Sequence, residues 1–287
     1  MVNKVSIILP ARNEAPALEQ LLPRLRAAVP DAEVIVVDDG STDQTGDIVR
    51  QNGARHVRHP YGMGNGAAIK SGARAASGEI FVFMDGDGQH DPDDIQRLLE
   101  KLDEGYDMVV GARDAGSQAS MGRGIANSFY NRFASWVTSQ KIADLTSGFR
   151  AVRGGKFLEF LHLLPNGFSY PTTSTMAFLR SGYPVCYLPI KAHKRIGTSH
   201  IKLVRDGVRF LLIVFRVGTL YAPLKIFLPI SASLFMTGLL YYLYTFAIWH
   251  RFTNMSALLF IASLLIFLIG LVSEQITMLL YQKTGRE

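Results

Sequence analysis

The stretch Ile80-Phe81-Val82-Phe83-Met84-Asp85-Gly86-Asp87-Gly88-Gln89-His90-Asp91-Pro92 passes in one step from an unbroken apolar run to a turn of acids and glycines. An apolar run without polar alternation reads as a strand buried on both faces, here over residues 79–84. A helical pattern follows over residues 92–104. The same succession recurs on either side. Residues 5–9, 33–37 and 107–110 read as strands, and residues 15–28, 42–52 and 64–76 as helices. Buried strands alternating with helices predict an α/β domain with a largely parallel, Rossmann-like sheet. Residues 115–200 are less regular and give no topology.

Each of three predicted strands ends in an acidic turn. They are Pro10-Ala11-Arg12-Asn13-Glu14, Asp38-Asp39-Gly40-Ser41 and Asp85-Gly86-Asp87-Gly88-Gln89. Open parallel sheets bind ligands at the carboxyl ends of their strands, so three such turns mark one site. Asp43 and Asp91 are assigned to helix punctuation, because Asp is a good N-cap. Asp85, Asp87 and Gln89 offer oxygens at alternate positions, which suits a hard cation such as Mg²⁺ or Mn²⁺. An EF-hand would need Gly at the sixth position and Glu at the twelfth; His90 and Gln96 stand there. A cation partly caged by protein completes its shell with substrate phosphates, which points to a nucleoside diphosphate. Gly62-Met63-Gly64-Asn65-Gly66-Ala67 loosely fits a dinucleotide-binding fingerprint. It follows His56-Val57-Arg58-His59-Pro60 and lies far from the N-terminal strand, so a dehydrogenase is set aside. There is no G-x-S-x-G elbow. The single Cys186 gives neither an intramolecular disulfide nor a multi-cysteine metal site, and is assigned to the core.

Charge then divides the chain. Residues 226–249 carry no Asp, Glu, Lys or Arg, and neither do residues 252–273. About 20 apolar helical residues cross a bilayer, so two transmembrane helices are expected, at about 226–249 and 256–280. Residues 1–10 do not read as a signal peptide, since the apolar run is short and meets Arg12 and Glu14. The net charge of +6 is concentrated just before the first span, where residues 180–225 hold nine Lys/Arg against Asp206 alone. A basic patch beside a membrane span fits anionic head groups and a cytoplasmic face, as at a prokaryotic inner membrane, better than nucleic acid. Within residues 201–224, Lys202, Arg205, Arg209 and Arg216 fall in one stripe about 60° wide at 100° per residue. An amphipathic interfacial helix is expected there. The expected organisation is a catalytic domain over 1–200, this juxtamembrane helix over 201–224, and the two spans with a short tail over 225–287.

Six segments in this order resemble a known family. They are Ile8–Glu14, Val36–Asp43, Met84–Pro92, Gly111-Ala112-Arg113, Asp144-Leu145-Thr146-Ser147-Gly148-Phe149-Arg150 and Arg195-Ile196-Gly197-Thr198-Ser199. Together they are similar to the polyprenyl-phosphate branch of the family-2 glycosyltransferases of GT-A fold, the branch of the dolichyl-phosphate mannose synthases. The resemblance implies an inverting, metal-dependent hexosyltransferase that moves a sugar from a UDP- or GDP-sugar to a polyprenyl phosphate. By the same resemblance Pro10, Glu14 and Asp39 hold the donor nucleotide, with Arg12 beside them. Asp85, Asp87 and Gln89 hold the metal on its diphosphate, Asp87 being a catalytic candidate. Arg113, Arg123 and Asn127 meet the acceptor phosphate. Arg195, the other catalytic candidate, closes over the diphosphate with Ser199 and Lys202. Homo-oligomerisation is implied by the resemblance alone. Two other readings are transfer to a glycan, protein or glycerolipid, and a non-catalytic membrane scaffold.

Overall fold

The computed structural model describes residues 4–113, 121–167, 169–191, 215 and 218–282, with backbone alone at 121–127, 129 and 282. It falls into two units, residues 1–206 and 207–287.

The first unit is built on a mixed seven-stranded sheet. Its strands are β1 (Val5–Ala11), β2 (Glu33–Asp38), β3 (Arg55–Arg58), β4 (Ile80–Phe83), β5 (Met108–Arg113), β6 (Arg150–Arg153) and β7 (Val185–Ile190), in the order β3-β2-β1-β4-β6-β5-β7. Strands β1, β2, β3 and β4 run parallel, β6 lies antiparallel between β4 and β5, and β7 returns parallel to β5. The period of two in the buried runs assigns each residue to a face. Ile7, Leu9, Val34, Val36 and Val82 pack against α1 (Ala15–Ala28) and α4 (Asp94–Asp103), whose Leu18, Leu21, Leu22, Leu25, Ile95, Leu98 and Leu102 are buried. Ile35 and Val37 point to the opposite face, where they meet Ala68 of α3 (Asn65–Ala75). Both faces of β1 and β2 are therefore covered, which is why these segments read as unbroken apolar runs.

The structure differs from the sequence reading in instructive places. Strand β3 was not anticipated. It is an edge strand with β2 as its partner, so its Arg-His-Val-Arg sequence keeps charged residues at the open edge. Helix α2 (Thr45–Gln51) starts after residue 42 because Asp43 accepts hydrogen bonds from Thr45 N and Oγ1 at 3.0 and 2.6 Å. The irregular region supplies α5 (Met121–Thr138), β6, α6 (Gly154–Glu159) and α7 (Tyr170–Arg180). Cys186 is half-buried on β7 and packs against the main core.

The second unit holds α8 (Pro223–Trp249, 27 residues) and α9 (Asn254–Gln282, 29 residues). At 1.5 Å per residue each is roughly 40 Å long, enough to cross a hydrocarbon layer of about 30 Å. Their outward faces expose Leu240, Leu243, Leu258, Leu264, Val272 and Leu279 at half or more of full exposure. Such a surface suits lipid rather than water. Small residues close the seam between the helices. Ser231 and Ser263 exchange hydroxyl-to-carbonyl hydrogen bonds at 2.9 Å each, and Gly238 and Gly270 face Leu259 and Phe227. The amphipathic helix expected over 201–224 lies mostly outside the described residues.

Helix α3 approaches the sheet through Gly72, where a Cβ would run into Ile8 Cγ2 and lie 3.1 Å from Val37 Cγ2. Gly72→Val should cost roughly 1–3 kcal/mol by overpacking, read as a lower thermal unfolding midpoint. Gly155→Ala, where a Cβ meets nothing within 4 Å, should leave the midpoint nearly unchanged.

Candidate functional site

The chain leaves β1 for β2 and β3 on one side and returns to β4 on the other. Such a reversal opens a crevice at the carboxyl ends of the strands. A cleft of about 420 Å³ lies there, and Pro10, Arg12, Glu14, Asp39, Asp85 and Asp87 all line it. Its remaining lining includes Asn65 from the helix expected over 64–76, Thr146 and Gly148 from the Asp144–Arg150 segment, and Tyr170, which the sequence reading did not single out.

Side chains from the second turn hold the first. Asn13 adopts a left-handed φ of 54°. Its N–H donates to Ser41 Oγ at 2.9 Å, and its Oδ1 accepts from Thr42 N at 2.8 Å. Glu14 N donates to Thr45 Oγ1 at 3.1 Å, and Ala15 N to Asp43 Oδ2 at 3.3 Å. Asp43 thus serves backbone donors on both turns, in keeping with its assignment as punctuation. Asp91 likewise accepts from Asp93 N, at 3.2 Å.

The adjacent acids Asp38 and Asp39 part ways. Asp38 turns to Ser41 N at 2.7 Å and His56 Nε2 at 3.3 Å. Asp39 Oδ1 meets His59 Nδ1 at 2.8 Å and Met63 N at 2.7 Å, while Oδ2 accepts from Gly64 N at 2.8 Å. Burial pushes the Asp39 carboxyl up, but these hydrogen bonds outweigh it and hold its pKa below the ordinary value. The glycine run is explained by the same contacts. Met63 and Gly64 serve Asp39, while Gly66 N and Ala67 N donate to Gly167 O and Asn166 O at 3.1 Å each. Gly64 has φ of 104°, and a Cβ at Gly66 would collide with Pro165 O. Contrary to the sequence expectation, strand β3 does lead into this run and α3 follows it, but the backbone N–H groups of Met63, Gly64, Gly66 and Ala67 serve Asp39 and residues 166–167, and the glycines permit that close approach.

Asp85 and Asp87 follow β4 directly. Gly86 N donates to Pro10 O at 3.3 Å, tying this turn to the first. Gly148 makes room for the acid, since a Cβ there would sit 2.8 Å from Asp85 Oδ2. Gln89 N donates to Asp87 Oδ1 at 3.2 Å. Among the described residues no cluster of three or more His, Cys, Asp or Glu could hold a metal ion. Two carboxylates with an amide fit a hard cation that takes its remaining oxygens from a phosphate ligand.

Beyond this turn lies a charged pair. Arg113 Nε and Nη2 donate to Asp144 Oδ2 and Oδ1 at 2.8 and 3.1 Å, and Nη2 also reaches Thr146 Oγ1 at 2.7 Å. Burial raises the Asp144 pKa, but the guanidinium prevails and holds it below the usual range. His90 stacks on Phe149 with centroids 5.0 Å apart, and burial pushes its pKa down to about 4, keeping it neutral. Arg150 is fully buried. Its Nη1 donates to Pro171 O, Ser174 Oγ and Thr175 Oγ1 at 2.9, 2.8 and 3.0 Å, fastening the start of α7 beside the cleft.

The remaining predicted residues are placed less fully. Arg123 and Asn127 lie four apart on α5, which puts them on one helix face. Arg195, Ser199 and Lys202 lie outside the described residues.

The chain matches glycosyl transferase family 2 over residues 6–159 and the GtrB C-terminal hairpin over residues 222–279. It is 30% identical to the glycosyltransferase AglJ of Haloferax volcanii, over 95% of this chain and 93% of that protein. It is 33% identical to an undecaprenyl-phosphate 4-deoxy-4-formamido-L-arabinose transferase of Photorhabdus laumondii, over 53% of this chain and half the length of that relative. Among solved structures, a glucosyl-3-phosphoglycerate synthase of Mycobacterium tuberculosis in complex with Mn²⁺, uridine diphosphate and glucosyl-3-phosphoglycerate shares the fold. The TM-score is 0.60 at 22% identity, covering 74% of this chain and 78% of that one.

Asp144→Asn should leave the mostly buried Arg113 without its counter-charge, at a cost on the order of 3 kcal/mol. Because the folded pKa of Asp144 is depressed, its contribution is present above the unfolded value of about 3.9 and is lost as pH falls through the folded pKa. The variant should therefore lose stability near neutral pH and show a flatter acid limb, as measured by unfolding between pH 7 and 2.

Proposed function

The chain belongs to glycosyl transferase family 2, and on that premise we propose that it moves a hexose from a nucleoside diphosphate donor to a polyprenyl phosphate with inversion at the anomeric carbon. One observation carries the reading. Asp39, Asp85 and Asp87 converge in one cleft, on a chain that also has two helices long and apolar enough to cross a membrane. The relatives' names support the acceptor class, since one that shares about half its length with this chain is named an undecaprenyl-phosphate sugar transferase. The structural neighbour holding Mn²⁺ and uridine diphosphate supports a divalent ion and a nucleoside diphosphate donor.

In this reading Pro10, Arg12, Glu14 and Asp39 hold the nucleoside side of the donor, and Asp85, Asp87 and Gln89 hold Mg²⁺ or Mn²⁺. The ion supplies a Lewis acid for the leaving diphosphate. An acceptor phosphate oxygen attacks the anomeric carbon as the bond to the diphosphate oxygen breaks, and the electron pair leaves with the nucleoside diphosphate. A phosphate monoester with a second pKa near 6 is mostly dianionic at neutral pH. The nucleophile needs no general base. The difficulty is to bring two anions together. Arg113, Arg123 and Asn127 on the acceptor side, and Arg195, Ser199 and Lys202 on the donor side, would offset that repulsion. The nine basic residues between 180 and 225 favour a cytoplasmic membrane face. Residues 1–200 then form the catalytic domain, 201–224 the interfacial helix and 225–287 the anchor.

Purified chain given radiolabelled UDP- and GDP-sugars, a short polyprenyl phosphate and Mn²⁺ should yield a lipid product labile to mild acid. Asp87→Ala should lower that transfer by about 100-fold or more. Transfer by Asp87→Ala at the wild-type, metal-dependent rate would overturn the site assignment. Transfer to a glycan, protein or glycerolipid instead would overturn the acceptor.

A further inference from the structure

Asp39 is the cleft-facing end of a longer buried relay. His59 follows the edge strand β3, and its N–H donates to Asp38 O at 2.9 Å. Its ring bridges two elements, with Nδ1 2.8 Å from Asp39 Oδ1 and Nε2 2.8 Å from Ser71 Oγ on α3. His59 and Asp39 are each 6% exposed. An ionised carboxylate only accepts, so Nδ1 carries the proton. Whichever way Nε2 and the Ser71 hydroxyl share their proton, the second hydrogen bond fixes the ring so that Nδ1 faces Asp39.

The order Asp-His-Ser resembles a hydrolytic triad, but its direction is reversed. Asp39 lines the cleft, whereas neither His59 nor Ser71 does. The serine lies within helix α3 and serves to orient the imidazole. What the relay delivers to the cleft is a carboxylate of fixed orientation. Oδ1 takes two donors, His59 Nδ1 and Met63 N, and Oδ2 takes Gly64 N. A carboxylate oxygen has two acceptor sites, so Oδ2 retains one for an N–H or O–H brought by a ligand.

We propose that His59, oriented by Ser71, is a positioning residue that fixes the Asp39 carboxylate to accept a hydrogen bond from the nucleoside portion of the donor. The proposal rests on the donor role of Asp39 given above. It makes the end of β3 and the middle of α3 part of the donor site, although neither touches the ligand. His59 acts in binding and leaves the chemical step alone, since the acceptor groups lie on other elements.

The test compares His59→Leu, His59→Asn, Ser71→Ala and Asp39→Asn in the full chain. Calorimetric affinity for UDP and GDP with Mn²⁺ is read beside steady-state kinetics and the unfolding midpoint. His59→Leu should weaken nucleotide binding and raise the donor KM by about tenfold, the loss of one charge-assisted hydrogen bond. Its kcat and acceptor KM should stay within about threefold. His59→Asn, whose amide can replace the Nδ1 donor, should restore most of the affinity. Ser71→Ala should give a smaller shift in the same direction. If Asp39→Asn loses nucleotide affinity while His59→Leu keeps it, the positioning role is wrong and the donor reading stands. If Asp39→Asn binds nucleotide like wild type, the donor role of Asp39 falls and the proposal falls with it. A loss in His59→Leu that tracks the unfolding midpoint and is not restored by Asn also overturns it.

Discussion

Strand β1 pairs on both edges, through Ile8↔Ile35 with β2 and Ile8↔Phe83 with β4, and the chain reaches those neighbours by opposite routes. That pairing converts three separate acidic turns into one crevice. It also creates an electrostatic problem, because Glu14, Asp39, Asp85 and Asp87 line a single cleft. Like charges at such range repel unless donors or cations face them. The fold answers part of this with fixed donors. Met63 N, Gly64 N and His59 serve Asp39, and Gln89 N serves Asp87. A divalent cation with its diphosphate would answer the rest, so substrate charge becomes part of what completes the site.

The β1, β2 and β4 strands and their turns were legible because both sheet faces are covered and the runs are unbroken. Asp85, Asp87 and Asp39 were legible for the same reason, since each directly follows such a run. Strand β3 was hidden by its position at the edge, where Arg55 and Arg58 are tolerated. Strand β6 was hidden for a different cause. It opens with Arg150, a charged residue that local pattern assigns to the surface, and the structure buries it completely through acceptors on α7. The wall formed by Thr146, Gly148 and Tyr170 depends on that antiparallel insertion, which no periodicity announces. The His59 partnership was equally closed to sequence reading. His59 and Asp39 are 20 residues apart and meet only through the edge pairing of β3. The glycine run from Gly62 shows the reverse case: a local pattern resembled a dinucleotide fingerprint, and although β3 and α3 flank it after all, its backbone donors serve Asp39 and residues 166–167.

On the proposed acceptor, the apolar C-terminal helices would connect to the chemistry. A polyprenyl phosphate keeps its chain in the bilayer and its phosphate at the surface. An enzyme using it gains by residence at that surface. The Ser231–Ser263 exchange and the close approaches at Gly238 and Gly270 hold the two helices together by packing and hydrogen bonding, the terms that remain effective where lipid removes the hydrophobic drive. Basic residues crowd the segment before them, so the anchor and the positive charge stand side by side in sequence.

The place of the donor decides the chemistry of the cleft. An experimental structure of the chain with Mn²⁺ and a nucleoside diphosphate tests it directly. Asp85 and Asp87 should then hold Mn²⁺ with the diphosphate, and the nucleoside should lie against Asp39 between the β1 and β2 turns. A nucleotide bound elsewhere, or a diphosphate held in this cleft with no cation on Asp85 or Asp87, would contradict it.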